Sequence, residues 1–97
     1  MQPEDTNITM PQLFDLWQYL YDCYRKEYMD ISMDRLVRVL YPDSECAIDG
    51  DHARMERCSG CLQWLAWMGV FEGSTLYSTG IPVVHVTKVT DNFKVVI

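Results

Sequence analysis

No stretch of this chain approaches the roughly 20 consecutive apolar residues that a membrane-spanning helix requires, which argues against a transporter or a helical anchor. Basic side chains are scarce. Eight Lys and Arg stand against fourteen Asp and Glu, a net charge of −6. That balance argues against binding nucleic acid or anionic lipid through bulk charge, and leaves only a local basic patch for such contacts. The start, Met1-Gln2-Pro3-Glu4-Asp5, lacks the basic residues and apolar centre of a secretory signal, so a cytoplasmic or nuclear protein is expected, not a secreted one. Catalytic signatures are missing too: there is no G-x-S-x-G, no phosphate-cradling glycine loop and no H-E-x-x-H. The carboxylates Asp43, Glu45, Asp49 and Asp51 share one stretch, but not with EF-hand spacing. A nucleophilic pairing of Cys58 with His52 has no evident cleft to serve. A non-enzyme is the expectation.

What is present is an ordinary globular composition, 48% apolar against 23% charged over 97 residues. That is enough for one domain and not for two. We divide it into a flexible tail over 1–8, three helices over 9–68, and a β-hairpin with a C-terminal strand over 70–97.

The helical half carries its own punctuation. Thr9 is a capping residue and Pro11 sits where a missing N–H does no harm. Leu13, Leu16, Trp17, Leu20, Tyr24 and Tyr28 then recur at spacings of three and four, which predicts an amphipathic helix to about Met29. Phe14 and Tyr21 widen its stripe. Residues 1–34 hold seven acidic side chains against Arg25 and Lys26 alone, so this helix has an acidic, solvated face. Asp30-Ile31 reads as a short connection. Ser32 caps a second helix with Met33, Leu36, Val37 and Leu40 inside and Asp34, Arg35 and Arg38 outside, and Pro42 stops it. Residues 43–50 read as a polar loop. Asp51 caps a third helix running to about Met68, with Gly69 where a left-handed C-terminal cap belongs.

After Gly69 the period changes. Thr75–Ser78, Val83–Val89 and Phe93–Ile97 are rich in β-branched and aromatic residues and read as strands. Thr79-Gly80-Ile81-Pro82 breaks the first pair, and Asp91-Asn92 is a turn between the last two.

This order, with the junction Cys61-Leu62-Gln63-Trp64-Leu65-Ala66-Trp67-Met68-Gly69-Val70-Phe71-Glu72-Gly73, resembles the winged helix-turn-helix superfamily. There an apolar third helix ends in a Gly-hydrophobic-hydrophobic step into the wing. The resemblance covers about residues 10–90 and is one of fold, identifying no subfamily. It implies an α+β domain, three helices followed by a small antiparallel wing. It also implies a DNA-binding transcriptional regulator that reads DNA with its third helix.

The third helix tests that implication. On a wheel of about 100° per residue, Met55, Cys58, Leu62, Leu65 and Gly69 cluster on the core side. Ala53, Glu56, Gly60, Gln63 and Trp67 oppose them, with Arg57 and Trp64 on a flank. A groove-reading face calls for several donors, and this one offers Gln63, a carboxylate and an indole. The DNA-binding candidates are Arg54, Arg57 and Gln63, with Arg35, Arg38 and Lys88 as further phosphate contacts. The alternative for the arginines is a solvated surface with loose ion pairs. Residues 35–97 carry six basic against seven acidic side chains, so that half is close to neutral.

The second reading is an acidic protein–protein module, a subunit or inhibitor of a nucleic-acid-handling complex. Its interface candidates are Trp64 and Trp67, because indoles anchor interfaces, with Gly60 admitting a close backbone. Phe93 and Val95 join them as an edge strand able to pair in a homodimer. Against this stand a Trp67 covered by its own domain and a last strand that merely completes the sheet.

A third reading is a zinc- or iron–sulfur-responsive switch. Cys46-x5-His52-x5-Cys58-x2-Cys61 holds the four ligand types of a closed Cys₃His site. Its spacing matches no common zinc module, and a buried free cysteine is a common small hydrophobe. Structural thiols and no cofactor are therefore expected. His85 reads as a strand residue.

Overall fold

The computed structural model describes residues 8–42, 52–77 (without the His52 side chain), 80–91 and 93. The tail over 1–7, the loop over 43–50, the Asp51 cap and the strand residues 94–97 lie outside the described residues.

Helix α1 spans Met10–Arg25 and starts as its sequence dictates. The Gln12 backbone N–H donates to Thr9 Oγ1 at 3.4 Å, and the Thr9 N–H donates to Gln12 Oε1 at 3.2 Å, a reciprocal capping box. Its end corrects the expectation of a helix to Met29. Glu27 takes a left-handed φ of 63°. The Glu27 N–H reaches Tyr24 O and the Tyr28 N–H reaches Cys23 O at 2.8 Å. This is a Schellman stop built without glycine, and it leaves Tyr28 exposed.

The residues read as a connection are strand β1, Asp30–Ser32. Ile31 is buried, and its neighbours pair with a strand more than fifty positions away. Helix α2, Met33–Leu40, follows at once. Ser32 occupies its cap position without a side-chain hydrogen bond. Met33, Leu36 and Val37 are buried as the pattern requires, while Leu40 is half-buried. Helix α3, His52–Trp67, ends in a second Schellman stop. Here Gly69 takes φ 79°, its N–H donates to Ala66 O, and the Val70 N–H donates to Leu65 O.

Strand β2 is Phe71–Leu76, starting four residues before the expected Thr75 and ending before Ser78, and β3 is Val83–Val89 as expected. The three strands form one antiparallel sheet in the order β1-β3-β2. Glu72 pairs with Lys88 but Gly73 with Val86, so Thr87 is an extra residue, a bulge. The bulge switches the inward parity of β3, which buries Val84 and Val86 before it and Val89 after it. The Thr87 hydroxyl donates to Glu72 O at 3.0 Å.

Three helices and this sheet enclose one core of Leu16, Leu20, Leu36, Val37, Leu65 and Val84 among others. Each such side chain contributes about 1.5–3 kcal/mol by leaving water. Trp17 ties the two halves together. Its indole N–H donates to Thr90 O at 2.8 Å, and its ring stacks on Tyr21 at 5.4 Å. The result is an α+β architecture, compatible with a helix-plus-wing arrangement. Among the described residues no helix is long and apolar enough to cross a membrane.

Candidate recognition face on α3

The α3 side chains divide by burial. Cys58, Cys61, Leu62 and Leu65 face the core, and Ala53, Glu56, Gln63, Ala66 and Trp67 are exposed. Two positions correct the wheel. Gly60, expected on the outer face, is buried, and Gly69, expected inside, is exposed. A glycine presents so little surface that its exposure follows the size of its neighbours and not its angle. Gly60 therefore offers no close approach to an external backbone.

Trp67 is 41% exposed, on the outer face where the wheel puts it. It meets the half-buried Trp64 edge-to-face, with centroids 5.4 Å apart and planes at 83°. Such a pair holds both rings at one orientation and is worth about 0.5–1.5 kcal/mol beyond area burial. The last turn of α3 thus presents a large indole already fixed in place. Among the described, exposed α3 side chains the one charged group is the Glu56 carboxylate.

The DNA-binding candidates are spread over three elements. The Arg54 guanidinium lies 4.8 Å from the ring centroid of Tyr41, the residue that ends α2, a cation–π contact that directs it along the α2–α3 junction. Arg57 is half-buried. On α2, Arg38 pairs with Asp34 at 3.5 Å. Arg35 hydrogen-bonds to the Tyr19 hydroxyl, whose pKa stands above the ordinary tyrosine range through burial first and the neighbouring Cys23 second, with Arg35 pulling it back. Lys88 is exposed on β3 opposite Glu72. Gln63 is the one DNA-binding candidate on the outer face of α3.

Phe93 is half-buried and packs at 5.6 Å on Phe14 and 5.2 Å on Trp17 of α1; residues 94–97, Val95 among them, read with it as an edge strand, lie outside the described residues.

Of the metal candidates, Cys46 and the His52 side chain lie outside the described residues. Cys58 and Cys61 are both fully buried in the core stripe of α3. Burial, and secondarily the neighbouring Cys61, pushes the Cys58 thiol up to about 12. It stays protonated at neutral pH and behaves as a small apolar side chain. Among the described residues no three His, Cys, Asp or Glu side chains come together.

No family model, no curated protein and no solved structure matches the chain. The functional reading therefore rests on residues.

Two features escaped the sequence. Asp30 Oδ1 and His85 Nδ1 meet at 2.7 Å across β1 and β3, and without β1 that pairing has no visible signal. Leu76 and Tyr77, at the end of β2, are 53% and 75% exposed. A signal was present there, since adjacent residues on a strand point to opposite faces and only one of two apolar neighbours can enter the core.

Proposed function

We propose that this chain is a non-enzymatic recognition module of winged-helix type that binds a protein through the outer face of α3. Support for the winged-helix reading comes from the element order, α1-β1-α2-α3-β2-β3, with the β2–β3 pair as wing and β1 bracing it. The observation that carries the protein-binding reading is the composition of the α3 surface: an exposed Trp67 held by Trp64, and no cation among the described side chains that are fully exposed, Arg54 and Arg57 being half-buried. A helix entering the major groove crosses a field of phosphates and reads base edges with donors. A carboxylate on that face opposes such an approach, whereas an indole with few rotatable bonds suits a protein interface. The net charge of −6 acts in the same direction.

A DNA-binding transcriptional regulator is the second reading. It is favoured by one specific observation, that Arg35, Arg38, Arg54 and Arg57, half of the basic residues, lie on the packed pair α2 and α3. The experiment that separates the two follows intrinsic tryptophan emission during titration with random-sequence duplex DNA, at low and at near-physiological salt. No saturable change is expected. Binding that falls steeply with salt, and vanishes in Arg54→Glu/Arg57→Glu, overturns the protein-binding reading. In parallel, partners captured by the wild-type chain should be lost from a folded Trp67→Ala variant. A partner set unchanged by that substitution rules out the α3 face.

A further inference from the structure

At the end of α3 away from Trp67, a groove runs between the helix and the end of the β2–β3 hairpin. It is lined by Met33 at the start of α2, Met55, Glu56 and Ser59 of α3, and Tyr77 and Pro82 beside the hairpin. We propose that this groove receives a segment of the protein partner carrying one large apolar side chain and, close to it, a lysine or arginine that meets Glu56. The proposal rests on the protein-binding reading of α3 and names the chemistry of the partner.

Size decides what class of group fits. The groove offers a volume of about 210 Å³, several times the roughly 30 Å³ of one liquid water. It falls short of the roughly 300–1,000 Å³ of pockets that enclose a small-molecule ligand. A single side chain from a larger body matches that range. The lining gives the polarity. Two methionines provide an apolar, polarizable surface that adapts its shape to what enters, a property used at surfaces that accept varied apolar anchors.

The hairpin end gives the reason for a macromolecular occupant. Tyr77 lines the groove yet keeps 75% of its surface in water, and Leu76 beside it keeps 53%. The last residue of β2 and the one that follows it both remain uncovered. A partner laid along the groove covers the tyrosine ring and fills the space behind it in one contact.

Charge complementarity fixes the sign of the partner. Among the described residues of the lining Glu56 is the one charged side chain, and it is exposed on the same helix face as Trp67. A phosphate or a carboxylate is repelled there, and a cation is drawn in. The whole-chain charge of −6 steers basic partners toward the protein at long range.

The test is selection from a naive display library of random twelve-residue peptides against the full chain, with affinities of synthetic winners then measured by fluorescence anisotropy. Winning peptides are expected to place a large aliphatic or aromatic residue within four positions of a Lys or Arg. Their affinity should fall at least tenfold in Glu56→Lys and in Tyr77→Ser, both surface changes whose folding is checked by circular dichroism. It should change less than threefold in Asp15→Asn, an exposed position of α1 outside the lining. Failure to enrich any peptide, winners that are neutral or acidic, or affinities indifferent to Glu56→Lys overturn the proposal. Winners that lose binding in Trp67→Ala alone overturn the groove and leave the α3 reading standing. Salt-sensitive binding of duplex DNA with no peptide selected overturns both.

Discussion

Substituting Gly73 by alanine sets space against conformation beside the bulge of the hairpin. A Cβ built on Gly73 meets the backbone oxygen of His85 at 2.6 Å and Cζ of Phe71 at 2.8 Å. Ordinary contact begins near 3.4 Å, so β2 and β3 must part by most of an ångström at the bulge. Neither neighbour yields easily. The His85 carbonyl belongs to the central strand, and the Phe71 ring is 4% exposed within the core. Overpacking of this kind costs about 1–3 kcal/mol, and the smaller freedom of unfolded alanine returns about 0.4–1 kcal/mol. The net expectation is a loss of about 1–2 kcal/mol. For a domain of this size each kcal/mol moves Tm by roughly 4–8 °C, which predicts a fall on the order of 10 °C. Thermal unfolding followed by far-ultraviolet circular dichroism, repeated with urea, measures it. A Gly73→Ala protein melting within 2 °C of the wild type refutes the reasoning, because the hairpin would then have absorbed the methyl freely.

The two helix stops make an opposed pair. Glu27→Gly is expected to stabilise the fold by about 0.5–1 kcal/mol, since the left-handed conformation burdens any residue with a Cβ; chemical denaturation reports the sign, and a destabilised variant contradicts the stop. Cys58 predicts an alkaline dependence. Its folded pKa of about 12 lies above the ordinary 9.0, so the stability it confers is whole below pH 9 and declines as pH rises from 9 toward 12. The expected slope from this group is about 1.4 kcal/mol per pH unit. Urea denaturation at stepped pH should show a shallower decline for Cys58→Ala over that window, and identical slopes dismiss the cause.

How much of this was legible in the sequence follows from which signals are local. Thr9 as a cap, the Met33, Leu36 and Val37 stripe of α2, Gly69 as a left-handed stop and the β-branched run of β3 each announce themselves within a few residues, and the structure places these as read. β1 did not, because three residues show no period and its partner is remote. The first half of β2 was hidden by Gly73 and Ser74, poor strand formers that the bulge tolerates. Glu27 ended α1 in a conformation that glycine usually marks and glutamate does not. At the candidate face, Trp67 was placed outward by helical angle alone. The groove beside Tyr77 joins α2, α3 and the hairpin, so no single segment carries its pattern.

The pairing of β1 with β3 also governs how the chain must fold. Asp30 reaches His85 across 55 positions, and Trp17 reaches Thr90 across 73. Loops of that length close slowly, because their entropy is lost before the contacts repay it. The helices can flicker into being early, but the centre of the sheet waits for the two ends of the chain to meet. Neither half is then an independent piece. Residues up to the end of α3 lack the cover of Val84 and Val86, and the hairpin alone lacks its third strand. An isolated hairpin is marginal at best in water. The outer face of α3 and the hairpin beside it should therefore appear together, in one late step, or not at all.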